Sequence, residues 1–260
     1  MRIELLLVGD ELLTGQLDPY PARIMQAIRG EGGRVSRLVI VEDEVAQIAA
    51  ELELAMTRGT DLLLVTGGLG PTIDDVTRHA LAAYLDQPLV LDAQAERWVR
   101  DAISLRHGNG ADVPPASLLM AKVPEGTRAL FNMVGVACGI EAVAGSMTII
   151  CVPGFPKEMW AMFEAYFLPR VEDEGRFEKE LWVMAGESFM EPIFQLVAEE
   201  FDVRIASLPK EGWRETGNQV ILRGERGEVE RAARRFLELL GDKTVNRGAS
   251  SKDADHLDNR

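Results

Sequence analysis

Four short runs, "IELLLV" (3–8), "VSRLVIV" (35–41), "DLLLV" (61–65) and "SMTIICV" (146–152), read as strands, and none alternates cleanly between apolar and polar residues. A strand with one face in water needs that alternation, whereas a strand covered by helices on both faces does not. Between the runs lie helical patterns near 20–30, 44–58, 73–85, 92–107 and 156–167, several with Pro or Asp in the opening turn. Strand and helix in alternation is the sequence form of βαβ units. The expected fold over residues 1–170 is therefore α/β, a doubly wound, mostly parallel sheet with helices on both faces.

The pattern changes at "LPRVEDEGR" (168–176), where a proline and a charged, glycine-containing run end the last helix. Strand, helix, strand, strand and helix then follow, so a small α+β domain is expected over 171–245 and a disordered polar tail over 246–260. The whole chain carries 28 Lys and Arg against 42 Asp and Glu, a net charge of −14, and such a surface repels nucleic acid and anionic membranes at long range. No run approaches the roughly 20 apolar residues that span a bilayer. Glu4 and the lack of a small-residue cleavage site argue against a signal peptide, so a cytoplasmic location without membrane or nucleic-acid partners is expected. Cys138 and Cys151, both in apolar or glycine-rich strand-like stretches, read as buried thiols.

The chemistry concentrates in "VTGGLGPTIDDVT" (65–77), a glycine-rich turn between a strand and a helix. Backbone amides at Gly67, Gly68 and Gly70 are expected to face a ligand, with Thr72 capping a helix that starts at once. No Lys follows the glycines and Ile73 holds the place of a third fingerprint glycine, so standard nucleotide motifs are absent. Asp75 fits a Thr-x-x-Asp capping box with Thr72. Two adjacent aspartates beside an anion-binding turn also imply a bridging cation, since Mg²⁺ binds through one or two carboxylates plus substrate phosphates. Asp74 and Asp75 are the first metal candidates. Ligands in open α/β sheets sit at the carboxyl ends of strands, which brings in Asp10 and Glu11 after the first strand and Asp43 after the second. Glu42 and Glu44 beside Asp43 are ordinary acids for the start of a helix. His79 and His107 read as helix-surface and helix-end residues.

"GDELLTGQ", "TGGLGPTIDDVT", "VPEGTRALFNMVGVACGI" and "CVPGFPKEMWAMFE", in this order, resemble the molybdenum-cofactor biosynthesis domain of the MoaB/MogA kind, in the form found at the N-terminus of the competence/damage-inducible CinA proteins. The resemblance covers residues 1 to about 245 and implies a KH-like second domain. The third domain of such proteins, which deamidates nicotinamide mononucleotide, lies outside it, so that activity is not expected. The resemblance implies catalytic and metal roles for Asp75 and Asp43. It implies a phosphate-containing nucleotide or pterin ligand held by Gly9, Glu11, Thr66, Gly67, Gly68, Gly70, Thr72, Gly135, Pro153 and Gly154, and a homo-oligomer, dimer or trimer.

The function so implied is a metal-dependent pyrophosphatase acting on ADP-ribose or a similar dinucleotide with Mg²⁺, Mn²⁺ or Co²⁺. The alternatives are a molybdopterin adenylyltransferase and a non-catalytic nucleotide or pterin binder. The sequence departs from the family near residue 20, where "DPYP" replaces an Asn-Thr-Asn run and brings Pro19 and Pro21. Val136, Cys138 and Phe155 are further departures, each in a presumed ligand loop. "GERG" (224–227) has the spacing of an RNA-binding G-x-x-G loop but falls between a strand and a helix. It also lies in a segment, 171–245, with 11 basic and 17 acidic residues and a net charge of −6. Dimer contacts or closure over the site are the expected roles of that domain.

Overall fold

The structure is a computed structural model that describes residues 1–16, 20–108, 112–173, 175, 177–209, 212 and 216–241. The tail expected over 246–260, and Pro19, lie outside them. The chain divides into two compact units, Met1–Glu174 and Gly175–Arg260.

In the first unit a six-stranded sheet has the order β2-β1-β3-β8-β7-β6. Strands β1 (Ile3–Val8), β2 (Val35–Val41), β3 (Leu62–Thr66) and β8 (Met147–Val152) run parallel. They fall within a residue of the four apolar runs. Strands β6 (Arg128–Leu130) and β7 (Gly139–Ala144) close one side antiparallel. Every residue of β1 and β3 is buried. Successive residues enter different cores: Leu6, Val8, Leu63, Val65, Ile149 and Cys151 pack on one face, while Leu5, Leu7, Leu62, Leu64, Ile150 and Val152 pack on the other. That is why the sequence shows no alternation.

Helices α3 (Val45–Thr57) and α4 (Thr77–Leu85) cover the first face through Ile48, Leu52 and Leu81. On the second face, α2 (Pro21–Gly30) and α6 (Pro156–Met162) supply Ile24, Ile28, Met159 and Met162. Each such side chain contributes about 1.5–3 kcal/mol when fully buried. Helix α6 is shorter than the periodicity suggests, because a π turn over Phe163–Phe167 follows it and stacks Phe163 on Phe167 at 5.5 Å between ring centroids. Asp92 caps α5 (Ala93–His107) by accepting from the Gln94 and Ala95 amides, as its first-turn position implies. Strands β4 (Leu89–Leu91) and β5 (Lys122–Pro124) form a separate two-stranded ladder.

In the second unit β9 (Phe177–Val183), β10 (Val203–Leu208) and β11 (Asn218–Gly224) make an antiparallel sheet ordered β10-β11-β9. Helices α7 (Glu187–Glu200) and α8 (Arg226–Leu240) pack on it around Phe236 and Val197. These five elements follow in the expected order among the described residues. "GERG" links β11 to α8, with the Glu225 side chain accepting from the Gly227 and Glu228 amides, so it is a strand-to-helix junction. Among the described residues no helix is long and apolar enough to cross a membrane.

Candidate functional site

The strand order places β1 between β2 and β3, so the chain switches direction across the sheet beside β1. A crevice at the carboxyl ends of the strands is expected at such a switch point. The residues following β1, β2, β3 and β8 meet there.

The glycine turn after β3 is largely occupied with itself. Gly67 and Gly68 have φ of 97° and 64°, a region open to glycine at little cost. A Cβ on Gly67 would collide with the Val8 carbonyl oxygen, one on Gly68 with Thr77 Oγ1 and one on Gly70 with the Asp75 carboxylate. The expectation that three glycine amides face a ligand is corrected here. Gly67 N donates to Val152 O at 3.0 Å and Gly70 N to Asp75 Oδ1 at 2.6 Å, which leaves Gly68 as the turn glycine whose amide finds no acceptor among the described residues.

Asp75 behaves differently from a helix cap. Its Oδ2 accepts from the Thr72 amide at 2.8 Å and from the Thr72 hydroxyl, so the Thr72–Asp75 contact exists but closes the turn. The helix starts only at Thr77, whose hydroxyl donates to Gly67 O at 2.8 Å. Thr72 and Asp75 thus shape the turn before any ligand arrives. Arg78, 2 % exposed, donates to the carbonyl oxygens of Leu69 and Gly70. The nearby Asp75 charge favours its charged form, against burial, which lowers the guanidinium's pKa more strongly. A buried cation is thereby built under a turn whose sequence offers backbone amides and two aspartates but no basic side chain; a lone Arg in a helix pattern gives no signal of this.

The acids at the ends of β1 and β2 interlock. Asp10 N donates to Asp43 Oδ2 at 3.0 Å and Asp43 N donates to Asp10 Oδ1 at 3.1 Å, a reciprocal pair that leaves one oxygen of each carboxylate outside it. Glu42 and Glu44 instead accept from the Gln47 side chain, which separates them from Asp43 as their helix-start position suggests. Burial holds the Asp43 carboxyl above the ordinary range, opposed by the Asp10 amide and reinforced by the charges of Glu11, Asp10 and Asp74. Residues from β1, β2 and the β3 turn therefore share one negative field. Glu11 folds back over Gly9, where a Cβ would stand 2.7 Å from Oε1. Asp74 is exposed, and the Thr72 side chain and its own backbone amide lower its pKa.

Oxygen-only donors suit a hard cation such as Mg²⁺ or Mn²⁺, and the free oxygens of Asp10 and Asp43 fit one. Among the described residues, however, no three His, Cys, Asp or Glu side chains close tightly enough to hold a metal by themselves. Any ion here needs further oxygens, from water or from a bound ligand.

The exit of β8 completes the crevice. A Cβ on Gly154 would stand 3.1 Å from the Gly67 Cα, so the two loops touch backbone to backbone, with Pro153 buried behind them. Tyr20 donates its hydroxyl to Gly154 O at 2.7 Å. Burial raises the Tyr20 pKa, with a smaller opposing hydrogen bond from Thr66 and a contribution from Glu11. Tyr20 is a site residue without a local sequence signal, since its partner Gly154 is distant in the chain. Pro21 sits at the first position of α2, where a missing N–H breaks no helix bond. Gly135 reaches the same rim indirectly: Asn132 accepts from the Val134 and Gly135 amides and donates to Ala137 O and Glu158 Oε2, and a Cβ on Gly135 would strike that Glu158 carboxylate. Cys138 and Cys151 are free and buried, and burial pushes both thiols up to about 12, so neither is a nucleophile at neutral pH. His79 is an exposed residue of α4.

A parallel sheet with a glycine turn and acidic strand ends at its switch point defines a class of ligand-binding α/β domain. Residues 4–173 match the family model described as a probable molybdopterin binding domain, and the chain belongs to that family. It is 34% identical over 246 residues to Protein PH0439 of Pyrococcus horikoshii, covering 92% of this chain and 96% of that one. It is 40% identical over 178 residues to a CinA-like protein of Salinibacter ruber, covering 67% of this chain and 42% of that longer protein. The crystal structure of the protein CinA from Thermoplasma acidophilum, 31% identical, superposes with a TM-score of 0.58 over 64% of this chain and 96% of that one. The first unit is therefore a molybdopterin-binding-type domain similar to that of CinA-like proteins.

Proposed function

We propose that the chain is a metal-dependent nucleotide pyrophosphatase that hydrolyses ADP-ribose or a similar dinucleotide. The observation carrying this reading is the reciprocal Asp10–Asp43 pair, which leaves one oxygen of each carboxylate outside it, with the charges of Glu11 and Asp74 also acting on Asp43. Asp43 and Asp10 would hold a divalent cation together with oxygens of the ligand, Asp74 would add its charge from nearby, and Asp75 acts through the shape of the turn as well as through its charge. When bound, the cation neutralises the diphosphate and polarises its P–O bonds. The chain's own residues supply the rest. The Gly68 amide donates to a phosphoryl oxygen, Arg78 fixes the carbonyls of Leu69 and Gly70 so that the turn keeps its form, and Tyr20 holds the Gly154 strand exit against it. Preorganised donors of this sort lower a barrier because they need no rearrangement as charge develops. Assembly as a dimer or trimer in the cytoplasm belongs to the same reading.

A second reading is a molybdopterin adenylyltransferase, which releases pyrophosphate from ATP only when the pterin is present; the family description, a probable molybdopterin binding domain, is compatible with it and names no reaction. Product analysis separates the two. Incubation with ADP-ribose and Mg²⁺, Mn²⁺ or Co²⁺ should yield AMP and ribose 5-phosphate, with no product after chelation. Tight binding without product under all three cations would leave a non-catalytic binder.

A further inference from the structure

Phe155 is an aromatic side chain with 65 % of its surface in solvent, immediately after Gly154. Three features fix its backbone. Pro156 follows it and restricts its conformation, which is extended at φ −62° and ψ 121°. Its carbonyl oxygen accepts from the Met159 amide at 2.9 Å as α6 begins. One residue earlier, Gly154 is tied to Tyr20 and lies against Gly67. The Phe155 Cα is thus a single step of about 3.8 Å from the residue that touches the glycine turn. An exposed Phe usually has no role, but this one stands on a pinned backbone at the rim of a crevice whose own floor is polar and charged.

A polar floor of amides and carboxylates recognises phosphate and cation but gives a ring nothing to lie on. Every nucleobase and pterin has a π-face, and stacking on an aromatic side chain is tolerant of which ring is offered. We propose that Phe155 is the stacking platform for the heteroaromatic ring of the ligand, with Tyr20 as the positioning residue that holds the platform beside the turn. The ligand class this selects is a ring-bearing diphosphate over a bare one. This inference rests on the diphosphate reading of the glycine turn.

Calorimetric titration in Mg²⁺ of the full chain with two probes, ADP and inorganic pyrophosphate, tests it. Phe155→Ala should weaken ADP binding about 5- to 30-fold and leave pyrophosphate unchanged, while Phe155→Trp keeps ADP affinity at or above the starting level. Leu105→Ala, at an 87 % exposed position of α5, should alter neither. ADP affinity unchanged in Phe155→Ala overturns the ring platform and leaves the diphosphate reading standing. Equal losses for both probes also overturn it, since Phe155 would then only support the loop. If the unaltered chain binds neither probe, the diphosphate reading fails and the platform falls with it.

Discussion

Asp43 and Asp75 look alike in the sequence, each an acid after a strand, yet the fold gives them opposite energetics. Asp43 is held above its ordinary pKa, first by burial and then by its acidic neighbours. A raised folded pKa means that its contribution to stability is complete below about 3.8, the unfolded value, and is lost as pH rises through the folded one. At neutral pH its charge therefore destabilises. Asp43→Asn is expected to leave the melting temperature in chelator unchanged or higher, to remove the stabilisation that Mg²⁺ or Mn²⁺ gives the parent chain, and to lower turnover by at least about 100-fold, the scale of losing one preorganised charge contact. A lower melting temperature in chelator, with the cation effect intact, would show that Asp43 is a structural residue. Asp75 accepts three hydrogen bonds inside its turn, and an amide can accept through only one atom. Asp75→Asn should cost about 1.5–3 kcal/mol of stability, measured by denaturant unfolding; an unchanged midpoint would contradict this assignment.

Elements legible in the sequence are those whose burial is complete on both faces. β1, β3 and β8 are nearly continuous apolar runs, broken only by the buried Glu4 in β1 and by Thr66 and Thr148 in the others, and their ends fix where the ligand loops emerge. β2, at the sheet edge, keeps Ser36 and Arg37 exposed and was still readable from its β-branched residues. By contrast β4, β5 and β6 have three residues each, too few for any period to show. The late start of α4 was also hidden, because Thr72 and Asp75 carry a cap signature that the backbone uses for a turn. Tyr20 was hidden for another reason: its partner Gly154 lies 134 residues away, and no local pattern announces such a bond. Tyr20→Phe removes one hydroxyl and frees the β8 exit from α2. The expected result is a several-fold rise in the Kd of ADP and a smaller one for inorganic pyrophosphate, with little change in unfolding midpoint. Because burial raises the Tyr20 pKa, its bond is complete below the unfolded value of 10.0 and is lost only as pH rises through the folded one, so the effect should be flat across neutral pH. An unchanged Kd for ADP, or equal losses for both probes, would separate Tyr20 from the platform.

The division into Met1–Glu174 and Gly175–Arg260 follows from two sets of closed cores, and the change in pattern near residue 168 marks it in the sequence. All residues assigned to the crevice belong to the first unit. A chain of residues 1–174 should therefore fold cooperatively and retain cation-dependent ligand binding within about threefold of the full chain. A folded fragment that no longer binds would contradict the assignment of the site to the first unit. The family likeness was carried by loop motifs, and the sheet behind them was legible from hydrophobicity. Which loop atoms remain free for a ligand was not, since hydrogen bonds such as Gly67 to Val152 and Gly70 to Asp75 are decided only when distant segments meet.

The central claim is that a divalent cation joins the acidic strand ends to a diphosphate gripped at the glycine turn. Calorimetric binding of ADP to the full chain, with Mg²⁺ and again after exhaustive chelation, tests it most directly. The account predicts binding in Mg²⁺ that weakens at least tenfold on chelation and becomes cation-independent in Asp43→Asn. Equal affinity with and without the cation in the parent chain would contradict it.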